Sequence, residues 1–128
     1  MYAIGGENAV STKLEETLEE YGQTSRLAGK NRFETSALVA NAYFEDPVSA
    51  VLAYAWNYPD GLCGGSLAYA MNAPLVLTMT NYEQMAAAYT KMEGITTGVV
   101  LGGTGLISDA SVRAIFAMTA DGEIRVIQ

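Results

Sequence analysis

Histidine is absent from the 128 residues, and with it go the commonest general base and the commonest metal ligand. A single cysteine, Cys63, rules out an internal disulfide and a thiolate metal cluster, though it does not decide the compartment. Only three prolines stand against thirteen glycines, which points to tight strand-to-helix turns rather than a proline-rich linker. Basic residues are scarce too: seven Lys and Arg face fourteen Asp and Glu, for a formal charge of −7 and a pI near 4.4. A general nucleic-acid binder or acidic-membrane binder needs a basic face, so the balance argues against both. No apolar run reaches the roughly 20 residues that span a bilayer. The start, Met1-Tyr2-Ala3-Ile4-Gly5-Gly6, lacks the basic region and apolar run of a signal peptide. An export signal, if the parent protein has one, is expected outside this fragment, and Met1 directly ahead of a strand reads as the boundary of a piece.

What is present is apolar material in short blocks. Half the residues are apolar and 16% are charged, a composition that packs a core rather than staying disordered. Strand-like runs lie near Tyr2–Gly5, Thr24–Ala28, Ser49–Ala55, Pro74–Thr78, Thr96–Leu101 and Ile124–Ile127. Most are continuous rather than alternating, as in strands covered on both faces. Helical patterns of about three turns fall between them. Ser11–Tyr21 sets Leu14 and Leu18 on one face. Asn31 with Glu34 resembles a capping box opening a helix over Arg32–Glu45. Asp60, after Pro59, is the expected cap of a helix over Asp60–Asn72. Tyr82–Glu93 is expected to end at Gly94, and Ser108 or Asp109 to cap a last helix running to about Met118. Strands alternating with helices imply a three-layer α/β/α sandwich on a mostly parallel sheet, flavodoxin-like or Toprim-like in class.

An internal repeat accompanies this pattern. Ile4-Gly5-Gly6 through Ser11 lies on Leu101-Gly102-Gly103 through Ser108 at an offset of 97 positions, each a strand end, a glycine pair and a serine cap. The chain then holds one complete unit at 24–128 and the tail of a preceding one at 1–23, packed together as a single domain.

In a parallel sheet the loops at the carboxyl edge hold ligands, and helix amino termini aimed there favour anions. The candidate helix-terminus loops contain Gly5, Gly6, Ser11, Gly102, Gly103 and Ser108. Arg26, Lys30 and Arg32 supply three of the seven basic residues within seven positions and could pair with phosphate or carboxylate groups. Equally, Arg26 or Arg32 could bridge to Glu34, Asp60 or a backbone carbonyl, or line a contact with a neighbouring unit. Trp56, Asn57 and Tyr58 after a buried strand offer ring faces and an amide suited to sugars, or could simply close the core. Asp60 serves either as a further contact or as a helix cap. Gly64-Gly65 within a helix costs roughly 1 kcal/mol each relative to alanine, which suggests close packing against the sheet or another module. Cys63 without a histidine is expected to be a small buried apolar residue. The Gly-Gly loops match neither Gly-x-Gly-x-x-Gly nor a P-loop. No catalytic residue, metal site or cofactor is expected.

Four segments, in order, resemble the cell wall-binding repeat 2 family of Gram-positive surface proteins. They are Arg26-Leu27-Ala28-Gly29-Lys30-Asn31-Arg32-Phe33-Glu34-Thr35-Ser36, Asn57-Tyr58-Pro59-Asp60-Gly61-Leu62, Leu67 through Thr78, and Val99-Val100-Leu101-Gly102-Gly103 through Ser108, with the earlier copy at Ile4–Ser11. Departures are Gly61 where alanine is usual, Cys63-Gly64-Gly65 in a helix often rich in alanine, and Val76 in a leucine-rich strand. The resemblance implies a non-catalytic module that anchors a larger exported protein non-covalently to an anionic wall polymer, teichoic-acid-like or a related polysaccharide. It implies a place in the wall or on the surface of a Gram-positive bacterium, and sister repeats as partners. A scaffold module that only packs against those repeats, and a small phosphate- or nucleotide-binding enzyme, are the alternatives.

Overall fold

The run Ala50-Val51-Leu52-Ala53-Tyr54 has no charged position, and in a computed structural model describing residues 1–125 it forms the central strand of a parallel sheet. In chain order the elements are β1 (Tyr2–Ile4), α1 (Thr12–Glu19), β2 (Ser25–Leu27), α2 (Arg32–Tyr43), β3 (Ala50–Tyr54), α3 (Tyr58–Met71), β4 (Leu75–Thr78), α4 (Gln84–Glu93), β5 (Gly98–Leu101) and α5 (Asp109–Ile115). β3 lies between β4 and β5, with Leu52 level with Val76 on one side and Val100 on the other. Alternate residues of a strand point to opposite faces. Ala50, Leu52, Val76 and Val100 accordingly meet Ala40 of α2, Ala86 and Tyr89 of α4, and Val112 and Ile115 of α5. Val51, Leu75 and Leu101 meet Ala68 of α3 on the other face. The result is an α/β/α arrangement around β4-β3-β5.

All strand pairs are parallel, but among the described residues they divide into two sheets. β1 and β2 form a separate pair, with Ala3 level with Arg26. The expectation of one sheet with most strands covered on both faces therefore holds for β3 and not for β1 or β2, where several positions are exposed. Of the sixth expected strand, Ile124 and Arg125 are not in strand, and Val126 and Ile127 lie outside the described residues.

Local chemistry sets the helix ends. Asn31 Oδ1 accepts from the Glu34 amide (3.0 Å) and the Glu34 carboxylate accepts from the Lys30 amide (2.6 Å), a capping box shifted by one residue. Ser11 and Ser108 cap α1 and α5 through the amides of Leu14 (3.3 Å) and Ser111 (3.2 Å). Asp60, by contrast, is not the cap of α3. The helix starts at Tyr58 with Asn57 in the cap position and Asp60 inside the first turn. Pro59 has no N–H to satisfy and a φ already fit for a helix, so it belongs within the first turn rather than before it. α4 begins at Gln84 instead of Tyr82, after a left-handed turn at Asn81 (φ 69°), and ends at Gly94 (φ 69°). α5 stops at Ile115 rather than Met118: Ala117 turns left-handed (φ 49°) and the Met118 amide returns to the Arg113 carbonyl (2.9 Å).

The two glycines of α3 differ. A Cβ on Gly64 would stand 2.6 Å from Leu101 Cδ1 and 2.8 Å from Leu75 Cδ1, so this residue lets the helix lie flush on the sheet. Gly65 has nothing within 4 Å of that position. Cys63 is exposed, contrary to the expectation of a buried thiol; with Gly64 turned to the sheet, its predecessor turns outward.

The internal repeat is geometric as well as sequential. After β1 the amides of Ala9 and Val10 donate to the Gly6 carbonyl (2.9 and 3.0 Å), and after β5 those of Leu106 and Ile107 donate to Gly103 (2.9 and 3.1 Å). Gly5 (φ 118°) and Gly102 (φ 130°) open the two turns in a region closed to most side chains.

Candidate ligand-binding site at the strand ends

The motif around β2 and the start of α2 is largely occupied with its own architecture. Arg26 is half-buried: its Nε and Nη2 reach Glu15 Oε2 (3.0 and 2.6 Å) and its Nη1 donates to the Gly5 carbonyl (2.6 Å). This fork ties β2 to α1 and to the turn after β1, so Arg26 is committed to holding the fold together. A Cβ on Gly29 would meet Glu34 Cβ and Cγ at 2.5 Å and the Thr35 amide at 2.8 Å, so glycine is required where the loop presses on α2. Thr35 Oγ1 accepts from the Gly29 amide (3.0 Å) and donates to the Asn31 carbonyl (2.9 Å). Ser36 continues the bracing: its hydroxyl accepts from the Leu77 amide of β4 (3.0 Å).

Arg32 is placed differently. Its guanidinium carbon lies 4.1 Å from the centroid of the Trp56 ring, and Nη1 donates to the Ala55 carbonyl (2.7 Å). The first turn of α2 thereby meets the end of β3, and both side chains remain exposed, Trp56 by 52%. Stacking uses the face of the guanidinium and leaves further N–H groups at its edge. Asn57 and Tyr58 follow immediately, and Tyr58 is 81% exposed. Lys30 is exposed, and among the described residues its ammonium makes neither a hydrogen bond nor an ion pair. The fold thus brings Arg32 and Trp56 together, while Asn57 and Tyr58 follow Trp56 in the chain and Lys30 stands two positions before Arg32.

Tyr82 went unnoticed in the sequence. It stacks on Phe33 (5.4 Å between centroids, 13° between planes), the residue after Arg32, with half its surface exposed. The signal that could have found it is the one used for Trp56, an aromatic in the loop between a strand and a helix.

The glycine loops are less open to an anion. The Asp60 carboxylate sits against the turn at Gly102, where an added Cβ would be 3.5 Å from Oδ2. Asp109 opens α5. Two acidic groups near this helix end work against a phosphate there. The Thr80 hydroxyl accepts from the Ser108 amide (2.9 Å) and donates to Leu106 (3.2 Å), closing the loop on itself. Gly5, Gly6 and Ser11 similarly shape the turn gripped by Arg26. The resolved proton affinities lie away from the cluster: burial, then the charge of Glu93, pushes the Tyr89 hydroxyl up to about 12, and desolvation, then neighbouring Tyr2, raises that of Tyr43. Among the described residues no group of three His, Cys, Asp or Glu side chains could hold a metal ion.

The chain is thus a parallel α/β scaffold with an exposed arginine–indole pair at its strand ends. The chain belongs to the cell wall binding domain 2 family, whose model matches residues 26–112. It is 32% identical over 108 residues to the N-acetylmuramoyl-L-alanine amidase LytC of Bacillus subtilis, covering 83% of this chain and 22% of that protein. It is 34% identical over 94 residues to an uncharacterized protein of Pyrococcus abyssi, covering 72% of this chain and 27% of the relative. Among solved structures it is similar to Cwp8 from Clostridium difficile, with a TM-score of 0.76 and 27% identity over 92% of this chain and 22% of Cwp8. It shares its fold with Cwp6 from the same organism, with a TM-score of 0.67 and 22% identity over 89% of this chain and 19% of Cwp6. The chain therefore spans about a quarter of the length of the curated relatives it matches. The family match makes it a cell wall-binding module.

Proposed function

We propose that this module holds a larger exported protein on the surface of a Gram-positive bacterium by binding an anionic wall polymer, a teichoic-acid-like chain or related polysaccharide. We assign the contact to Lys30, Arg32, Trp56, Asn57 and Tyr58, and assign Arg26 and Asp60 to holding the loops in place. The observation that carries the reading is the Arg32 guanidinium over the Trp56 ring at 4.1 Å, both exposed. The ring fixes the cation, whose remaining N–H edge suits phosphate or carboxylate, while Trp56 and Tyr58 offer apolar faces for sugar rings. We assign residues 24–128 to one complete unit and residues 1–23 to the tail of a preceding one, a reading supported by the matching turns at Gly5 and Gly102.

Co-sedimentation with purified Gram-positive walls tests the assignment. Arg32→Ala and Trp56→Ala are each expected to weaken retention about tenfold, equivalent to about 1.4 kcal/mol. Retention unchanged in both variants would sink it. A scaffold role draws support from one further feature: Tyr58, Leu62 and Tyr69, at helical spacing on α3, are 81%, 77% and 89% exposed. Concentration-dependent self-association in sedimentation equilibrium would favour that role, and a strictly monomeric chain that binds walls would count against it.

A further inference from the structure

The backbone separates two edges on each of the repeat-related strands. On β5 the Thr97 carbonyl accepts from the Ala50 amide (3.3 Å). In a parallel ladder the bonds to one neighbour come from alternate residues, so Thr97, Val99 and Leu101 turn their backbone groups to β3. Gly98, Val100 and Gly102 turn theirs the other way, and among the described residues no strand pairs with that edge. On β1 the Met1 carbonyl accepts from the Ser25 amide (3.0 Å) and the Gly5 amide donates to the Leu27 carbonyl (2.9 Å). Shifted by the repeat offset, Met1, Ala3 and Gly5 fall on Gly98, Val100 and Gly102. The edge by which β1 holds β2 is the edge that β5 leaves open.

The side chains give the same account from the other end. α5 buries Val112 and Ile115 against β3 and its neighbours, whereas α1, its counterpart, buries no residue. Tyr2 and Ile4 of β1 are 60% and 45% exposed. β1 and α1 are a copy of β5 and α5 without the sheet those elements pack on, yet β1 is already paired with the strand that opens the complete unit.

The geometry points to a joint between units made by strand exchange: the open edge of β5 takes the opening strand of a following unit of this same fold. The incoming strand runs parallel, in the register that Ser25–Leu27 keeps on β1, with its arginine level with Val100. That arginine donates to the Gly102 carbonyl, as Arg26 donates to Gly5 (2.6 Å). A strand of this type is specified because the turn at Gly102 repeats the acceptor that Arg26 uses at Gly5. The carboxylate is not repeated, since Val112 stands where α1 has Glu15, so this joint rests on the ladder and one arginine–carbonyl bond. The inference is independent of the wall-polymer assignment, because the joint forms without polymer.

The test is amide exchange by NMR, without wall material, on the full chain and on the full chain joined to a second copy beginning at Thr24. In the tandem, the Val100 and Gly102 amides of the first copy are expected to exchange on the order of 100-fold more slowly than in the single chain. Leu27→Pro in the second copy removes a ladder donor and should restore fast exchange, with the Leu52 amides of both copies reporting an intact core. Equal exchange in tandem and single chain, or protection already complete in the single chain, would overturn the joint.

Discussion

At the scale of the residue, arginines six positions apart perform different tasks. Arg26 places its charge against Glu15 with a side-chain exposure of 18%, and hydrogen bonds to charged groups are worth about 1.5–3 kcal/mol each. Arg26→Ala is therefore expected to lower unfolding free energy by about 2 kcal/mol in urea titrations, while wall retention per folded molecule stays within twofold of the parent, about 0.4 kcal/mol. Arg32→Ala should show the opposite pattern. The sequence allowed both roles for either residue. It could not choose between them, because Glu15 and Trp56 approach the arginines only through the tertiary fold. Capping residues were readable for the converse reason: Ser11, Asn31, Gly94 and Ser108 act within one turn of their own position. Asp60 was misassigned as a cap because Pro59 shifts the start of α3 toward Asn57.

At the scale of the element, α3 is the most informative. Its adjacent glycines read alike in sequence, and only the sheet beneath tells them apart. Gly65→Ala adds a methyl group in open space and is expected to raise unfolding free energy by about 0.5–1 kcal/mol, through helix propensity and a less disordered unfolded chain. Gly64→Ala drives its new carbon into Leu101 and Leu75; overpacking of this kind costs about 1–3 kcal/mol and should outweigh the gain in propensity. Thermal or urea unfolding of the two variants should therefore shift in opposite directions. Strand existence was legible for β1 to β5 from short apolar or β-favouring runs. Their division into two sheets was not, because a run of apolar residues records burial and says nothing of which strand lies beside it.

At the scale of the whole molecule, a formal charge of −7 would oppose the approach of the proposed anionic polymer over long distances, while the proposed arginine–tryptophan contact would attract it only at close range. The Debye length falls from about 30 Å at 0.01 M salt to about 10 Å at 0.1 M. Over that interval the repulsion is screened before the contact is, so association with purified walls is expected to become faster; a rate that falls steadily with salt would show that no such repulsion operates. The repeat offset made the relation between Gly5 and Gly102 legible in sequence, yet not its structural meaning, which depends on which edge of each strand is free. The direction of β1 and β2 also sets how this pair would bear tension along the chain. Because the two strands are parallel, a pull on the chain before β1 and a counter-pull after β2 drag them past each other lengthwise. The cross-strand bonds and the Arg26 fork then bear the load together rather than parting one after another, so the joint resists tension in shear.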